Sequence, residues 1–391
     1  MTHNRSEATT GPAILQIVPR LDTGGAERAT IEIAAALAQA GLVPLVASQG
    51  GRMVAQLEAA GGEWIPMPLD AKSSPALFAN ARRLRRLVRA RDVKLIHARS
   101  RAPAWSALWA ARKERIPFVT TFHGAYSAGS AIKRFYNSVM LRGDAVIANS
   151  QWTAGHIRSA YSFQPKKLVT IPRGVDLEEF DPAHVPPEHV NRLRESWGVR
   201  EDETTVLLPG RITRWKGQLV LVEALARLVR NGAGQHLRAI LAGDAQGRDA
   251  YAAEVKRSIE RGGLSGIVTM VGHAQDMPAA YLAADIVVSA STEPEAFGRV
   301  AAEASAMARP VIATDHGGAR ETILPDVSGI LVSPGDAAAL AASLAQLLHA
   351  GPEARLAMGA QGRGHIAKNF SLARMTADTL ALYRELLDNV I

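Results

Sequence analysis

The sequence predicts an α/β protein built on two doubly wound parallel sheets. Short apolar, β-branched runs alternate with longer helical patterns from end to end, and the alternation breaks once, at a polar, proline-rich interval, before restarting. Strands separated by helices imply right-handed crossovers, and strands apolar on both faces imply parallel sheets covered on both sides. The 391 residues suffice for two or three domains, each with its own core. Hydrophobic residues at 47% and charged residues at 21% exclude a disordered chain. The absence of cysteine excludes a disulfide scaffold, a thiolate metal site and a cysteine nucleophile. The start, MTHNRSEATTGP, is polar and lacks the apolar core of a signal peptide. No run approaches the ~18 apolar residues of a membrane span. A soluble, cytoplasmic chain is expected.

The first array of strands is expected at Ala13–Pro19, Pro44–Ser48, Glu63–Pro68, Val93–Ala98, Pro117–Phe122, Ala145–Asn149 and Leu168–Pro172. Helical patterns lie between them, at Ala26–Ala40, Pro75–Arg91, Pro103–Lys113 and Ala131–Leu141. Asp181–Glu188 (DPAHVPPE) then reads as a linker. The second array follows at Thr205–Pro209, Leu237–Ala242, Ile267–Val271, Ile286–Ser289, Pro310–Thr314 and Gly329–Val332. A last helix is expected from Phe370 to Leu387. The domain boundaries that follow are 1–185, 186–368 and a terminal helical segment, 369–391. Two Rossmann-like domains facing a cleft is the expected architecture.

Charge is unevenly spread. Residues 1–190 hold 24 Lys and Arg against 15 Asp and Glu, whereas the second half is near balance. Between Arg82 and Arg115 there are 12 basic residues, opposed only by Asp92 and Glu114. Such a run is either a solvated helix face or a surface for phosphates, on nucleic acid, an anionic bilayer or a phosphorylated substrate. Nucleic acid is disfavoured, because no aromatic interleaving or binding module accompanies the charge.

In open α/β sheets ligands sit beyond the carboxyl ends of strands, so the residues just after each strand are the candidates. The first set is Asp22-Thr23-Gly24-Gly25-Ala26-Glu27-Arg28, where two glycines and free helix N–H groups suit an anion. It is not the G-x-G-x-x-G dinucleotide fingerprint; an ordinary tight turn is the alternative. The second is Gly210-Arg211-Ile212-Thr213-Arg214-Trp215-Lys216-Gly217, in which the Arg211 guanidinium and Lys216 ammonium can converge on one diphosphate. Arg214 reads as the solvated member. The third is Glu295 to Glu303, two carboxylates eight positions apart around a strand-to-helix junction, with Glu303 about a turn and a half into the helix. The helix start at Gly298-Arg299-Val300 offers N–H donors, and carboxylates accept paired sugar or ribose hydroxyls. Glu293 competes with Glu295 for that role. His123, in Thr121-Phe122-His123-Gly124, and His97, in His97-Ala98-Arg99-Ser100-Arg101, end strands of the first array, where each is either structural or a site residue. The eleven scattered histidines offer no zinc set, and no G-x-S-x-G elbow is present.

Taken together, these residues resemble the retaining glycosyltransferases of family 4, which have the GT-B fold, and among them bacterial cell-envelope enzymes. The marks run nearly end to end: GGAER at Gly24–Arg28, TFHG at Thr121–Gly124, IPRGVD at Ile171–Asp176, GRITRWKG at Gly210–Gly217, LAGD at Leu241–Asp244, VGHAQDMPAAY at Val271–Tyr281, Glu295 with Glu303, PVIAT at Pro310–Thr314 and HGGARETI at His316–Ile323. The resemblance implies that Arg211 and Lys216 hold the donor diphosphate, joined by the Gly24 and Gly25 amides when the domains close. It implies Glu303 on the ribose, Glu295 on the donor sugar and His123 near the reaction centre. Gly243, His273, Phe297, Gly298 and Arg299 join the donor set. His97, Arg99 and Arg173 form the acceptor set.

The same resemblance implies no metal and no cofactor, the donor being a UDP- or GDP-sugar used as substrate. The acceptor is expected to be an envelope glycan, as in lipopolysaccharide biosynthesis, or a lipid-linked one, with Arg82–Arg91 touching the anionic inner membrane and no nucleic acid bound. The C-terminal helix is expected to cross back to the first domain. Arg173 stands where the family commonly has asparagine, Ala308 where glycine is usual and Arg320 where proline is frequent; Ala308 is expected to be tolerated packing. A nucleotide-sugar epimerase and a non-catalytic nucleotide-sugar-binding module are the alternatives.

Overall fold

The computed structural model describes residues 11–388, apart from 23, 72, 125 and 127–129. Residues 1–10 of the polar start, and Thr23 of the first glycine loop, lie outside the described residues. All thirteen expected strands are present, with ends moved by up to two residues. The first seven are β1 Ala13–Ile17, β2 Val43–Ser48, β3 Glu63–Pro66, β4 Val93–Ala98, β5 Phe118–Phe122, β6 Ala145–Ala148 and β7 Leu168–Thr170. They form one sheet in the order β3-β2-β1-β4-β5-β6-β7, with every pair parallel. The remaining six are β8 Thr204–Pro209, β9 Leu237–Ala242, β10 Val268–Gly272, β11 Ile286–Ser289, β12 Val311–Thr314 and β13 Gly329–Val332. Their order is β10-β9-β8-β11-β12-β13, again all parallel.

The two-residue side-chain period explains why these strands read as unbroken apolar runs. In the second sheet Val206, Leu208, Leu241, Val288 and Ile312 enter the core on one face. Leu207, Ile240, Val287 and Val311 enter the core on the other. Both faces are covered by helices, so most positions on either face are apolar. The pairing of β8 with β11 and of β1 with β4 marks, in each sheet, the point where strand order reverses direction.

Two compact units result: Met1–Pro172 with Ala373–Ile391, and Arg173–Leu372. The divisions fall at 172 and 372, where the sequence placed them at 185 and 368. The proline-rich interval is not a linker. Asp181 caps the 3-10 turn Pro182–His184, its Oδ1 accepting the Ala183 N–H at 2.9 Å, and pairs with Arg363 at 3.0 Å. Pro187 opens the helix Pro187–Ser196, where its missing N–H costs nothing. Ahead of the interval, Val175 is already tied to the second unit: its N–H donates to Phe370 O and its carbonyl accepts from Leu372 N–H. Proline here records turn and helix starts.

The last helix, Leu372–Asp388, belongs from Ala373 onward to the first unit. Tyr383 on it is 1% exposed and meets the His97 ring, and Glu385 pairs with Lys167. Ala308, expected as tolerated packing, has φ 54°, in the left-handed region, so its backbone is strained. Among the described residues no helix is long and apolar enough to cross a membrane.

Candidate functional site

The reversal of strand order at β8 and β11 sets two loops of the second unit side by side. After β8 the chain runs from Gly210 through the 3-10 turn Arg214–Lys216 into the helix Gln218–Arg230. Ile212, 2% exposed, anchors this loop in the core. Gly217 has φ 75°, and a Cβ there would lie 1.9 Å from the Ala290 carbonyl, so only glycine lets the loop close against the end of β11. The Thr292 N–H donates to Trp215 O at 2.7 Å and joins the loops.

That juxtaposition brings the predicted residues together. Lys216 Nζ donates to Glu295 Oε1 at 2.7 Å, and Ser291 Oγ donates to the same oxygen at 2.5 Å. The Lys216 ammonium also lies 4.4 Å from the Trp215 ring centroid. Burial pushes the Glu295 carboxyl up, but the Lys216 charge and the hydrogen bonds from Lys216 and Ser291 outweigh it and hold the group below the ordinary glutamate value. Glu295 is therefore an ionised acceptor. Arg211, on the same loop, is exposed and makes no ion pair among the described residues, while Gln218 Nε2 fixes its main chain by donating to its carbonyl. Arg214 is turned away as expected, exposed and paired with Glu254 at 2.6 Å.

Gly298, at φ 80°, turns the chain into the helix Arg299–Ala306, which carries Glu303 just beyond its first turn. Glu303 is 7% exposed and held on both oxygens: Tyr281 Oη donates to one at 3.0 Å and Arg299 Nη2 to the other at 2.5 Å. Burial and the adjacent Glu303 carboxylate push the Tyr281 phenol well above its usual value, so it stays a donor. Glu293 is exposed and stands outside this arrangement. Phe297 needs correction as a donor-binding side chain. It is 4% exposed and packs against Phe370 in the core, so only its main chain can face a ligand.

Sequence reasoning missed four supporting residues. Ser291 supports Glu295 directly. His316 Nε2 and Thr314 Oγ1 both bond the Ser291 carbonyl at 2.9 Å, and Tyr281 orients Glu303. His316 and Tyr281 stood inside quoted motifs, but spacing alone gave them no role. Gly243 follows β9, where a Cβ would lie 1.9 Å from Gly210 O, so it permits the two strand ends to approach. His273 follows β10, two strands from β8, and is exposed. Arg320 pairs with Asp315 at 2.7 Å.

In the first unit, Gly24 is the N-cap of the helix Gly25–Gln39, and a Cβ on it would lie 2.4 Å from Glu27 Oε2. His123 directly follows β5 with its Nε2 buried. His97 is corrected as an acceptor-binding residue. It is wholly buried, with Nδ1 2.5 Å from Tyr383 Oη and Nε2 2.7 Å from Thr121 Oγ1, which leaves neither nitrogen for a ligand. Burial, and then the charges of Arg99 and His123, push its pKa well down. Arg99 is 4% exposed and donates from Nε to Gln16 Oε1 at 2.7 Å. Arg173 is 5% exposed and opens the second unit, so the expected acceptor set is not gathered within one unit. Of the arginines on the helix Ser74–Ala90 and just after it, Arg85 and Arg89 pair with Glu114 at 2.7 Å, Arg91 pairs with Glu63 and Arg83 donates to Asn80 Oδ1 at 2.9 Å, leaving Arg82 and Arg86 exposed. Among the described residues no group of three or more acidic or histidine side chains is placed to hold a metal ion.

Comparison with known proteins gives two family matches, Glycosyltransferase Family 4 over residues 23–179 and Glycosyl transferases group 1 over residues 190–365. A glycosyltransferase from Rickettsia africae ESF-5 is 36% identical with a TM-score of 0.90, over 97% of this chain and 100% of that one. HepE of Anabaena, solved with UDP-glucose, is 26% identical with a TM-score of 0.81, over 94% and 99%. A D-inositol 3-phosphate glycosyltransferase of Segniliparus rotundus is 35% identical over 243 residues, 62% of this chain and 52% of that protein. The chain spans about half the length of the curated relatives it matches.

Proposed function

The chain belongs to glycosyltransferase family 4, with the GT-B fold, and on that premise we propose that it moves a sugar from a nucleoside diphosphate sugar to a hydroxyl acceptor with retention and without a metal ion. The observation that carries this reading is the Lys216–Glu295 pair beside Arg211, at the strand-order reversal of the second sheet. A diphosphate brings about two negative charges to a place that already holds an ammonium and a free guanidinium. Those two cations supply the charge stabilisation that a divalent ion supplies elsewhere. When the bond from the anomeric carbon to the phosphate oxygen breaks, the electron pair leaves on the diphosphate, where Lys216 and Arg211 hold it. The acceptor oxygen forms the new bond on the same face, and its proton passes to the departing phosphate oxygen.

Glu295, ionised and oriented by Ser291, accepts hydroxyls of the donor sugar, and Glu303 accepts those of the ribose. The Gly298 turn and the first N–H groups of its helix face the same ligand. The Anabaena neighbour bound to UDP-glucose supports a uridine diphosphate donor, with guanosine as the other candidate. The curated relatives named for D-inositol 3-phosphate support an acceptor that carries phosphate. An envelope glycan or lipid-linked acceptor at the inner face of the plasma membrane, with Arg82 and Arg86 toward anionic lipid, fits the basic first unit.

Thermal unfolding with UDP-, GDP- and ADP-sugars tests the donor. A matching donor at about 100-fold its Kd adds roughly 2.7 kcal/mol of stability to the wild type, and Lys216→Ala abolishes that shift. Equal shifts in both proteins would overturn the site. Incubation with donor alone separates transfer from epimerisation: an isomerised sugar would overturn the transferase reading.

A further inference from the structure

Four of the seven large hydrophobic side chains exposed among the described residues lie in the first unit: Phe78, Ile132, Phe135 and Phe163, at 57%, 82%, 64% and 48% exposure. They are joined into one surface. Phe78 stacks on Trp109 with centroids 4.7 Å apart, Trp109 lies 6.0 Å from Trp105, and Trp105 stacks on Phe135 at 5.4 Å. Ile132 is three positions before Phe135 on the helix Ala131–Asn137, hence on its face. The Arg142 guanidinium sits 5.6 Å from the Trp105 ring and 5.5 Å from the Phe163 ring, closing the surface on that side. Water gains nothing from such a surface, and a contiguous aromatic area of this kind marks a partner.

The charge around it is mostly positive. A hollow of about 280 Å³ has an apolar lining that includes Leu108, Trp109, Leu141 and Phe163, and Arg112, Arg142 and Lys166 line it too. On the helix Ser74–Ala90, Arg82 and Arg86 follow Phe78 at i+4 and i+8, so these three exposed residues share one stripe. Nearby acids are already committed: Glu114 to Arg85 and Arg89, and Asp144 to Lys166 at 3.8 Å and to the Phe118 N–H. Exposed rings with arginines spaced among them match the interface of an anionic bilayer, apolar below and phosphate above.

We propose that the surface formed by Phe78, Trp105, Trp109, Ile132, Phe135 and Phe163, ringed by Arg82, Arg86, Arg112, Arg142 and Lys166, docks the first unit on an anionic lipid bilayer. The rings enter the headgroup boundary and the arginines pair with lipid phosphates. This deepens the lipid-linked acceptor reading, but docking needs no donor, so it stands or falls separately from the transferase chemistry.

Co-flotation at physiological salt with vesicles of phosphatidylcholine alone, or with about one-third phosphatidylglycerol, tests it on the full chain. The wild type is expected to float with the anionic vesicles and not with the neutral ones. Arg82→Gln/Arg86→Gln/Arg112→Gln is expected to lower partitioning about hundredfold, at roughly fivefold per lost charge. Ile132→Ser/Phe135→Ser, and separately Phe163→Ser, are expected to lower it about tenfold each, with the thermal unfolding midpoint and the donor-induced shift unchanged. Wild-type protein that stays with the buffer, or variants that float like wild type, would overturn the proposal. So would light scattering that shows a dimer lost in Phe135→Ser, which would assign the surface to a second copy of the chain.

Discussion

Lys216 Nζ lies 2.7 Å from Glu295 Oε1, although the two residues are 79 positions apart and stand on the loops after β8 and β11. Parallel strand pairing at the reversal point is the cause. Each loop alone is a polar turn; together they make a pair whose side chains are only 12% and 17% exposed. Lys216→Ala should lower kcat for transfer by about 10²- to 10³-fold, the scale of losing one charge donor to a developing anion. Glu295→Gln keeps the shape and the Ser291 contact and should lower kcat as well. Because the two touch, the double variant should cost less than the two losses multiplied. Single-turnover rates of the three variants, with unfolding midpoints as a control for folding, check this; strictly multiplicative losses would show that the pair does not act as a unit.

Glu303 owes its orientation to Tyr281 and Arg299. Tyr281→Phe removes one hydroxyl from a buried carboxylate and should cost about 1–3 kcal/mol of stability. It should also raise KM for the donor several-fold and leave kcat nearly unchanged, since ribose contacts hold the donor equally in the ground and transition states. Glu303→Gln should weaken nucleoside diphosphate binding about tenfold or more, read by titration calorimetry. Unchanged binding in Glu303→Gln would remove that residue from the donor site.

The two-sheet architecture was legible because most strands are apolar on both faces, and the carboxyl ends of strands pointed to the loops that the structure sets side by side after β8 and β11. Lys216, Glu295 and Glu303 were singled out as candidates from residue type and position, and the structure brings Lys216 and Glu295 into contact. The supports were not. Ser291 and His316 belong to different strand ends, and their meeting depends on β11–β12 pairing that no local pattern encodes. His97 was misread for a physical reason: a strand's carboxyl end is also where a buried polar pair can form. Tyr383, 286 positions away, supplies the partner. The proline-rich interval misled likewise, since proline marks helix starts as well as linkers.

The buried His97 makes stability depend on pH with a definite sign. Burial, with Arg99 and His123 nearby, holds its folded pKa far below the ordinary value of 6.5, so the folded ring stays neutral. Above about pH 6.5 the unfolded ring is neutral too, and nothing is lost. Below it the unfolded state takes up a proton that the folded state refuses, so stability falls by up to about 1.4 kcal/mol per pH unit until the depressed pKa is reached. His97→Gln should lower stability at pH 7.5, because two buried contacts are disturbed, yet fall less steeply from pH 6.5 to 5. Denaturant titrations of both proteins across that range measure the difference in slope. Parallel slopes would show that His97 takes its proton in the folded state.

Ala308 occupies a place that physical chemistry reserves for glycine. The helix Arg299–Ala306, which carries Glu303, ends with the Ala308 N–H donating to Ser305 O at 3.0 Å and the Arg309 N–H to Ala304 O at 2.9 Å. This pair of bonds requires a left-handed residue at Ala308, whose φ is 54°. A Cβ in that conformation costs roughly 1–2 kcal/mol, against which glycine loses some entropy on folding. Ala308→Gly should therefore stabilise the second unit by up to about 1 kcal/mol and raise its Tm by roughly 2–4 °C. Ala308→Val should destabilise it by more, since a branched Cβ crowds the carbonyl further. Donor affinity should stay at the wild-type value in Ala308→Gly, because the change lies at the far end of the helix from Gly298. Calorimetric scans of the three proteins decide the matter: a lower Tm for the glycine variant would mean that the turn is held by packing against Gly359, whose own Cβ would lie 2.0 Å from Ala308 O, and not limited by backbone strain.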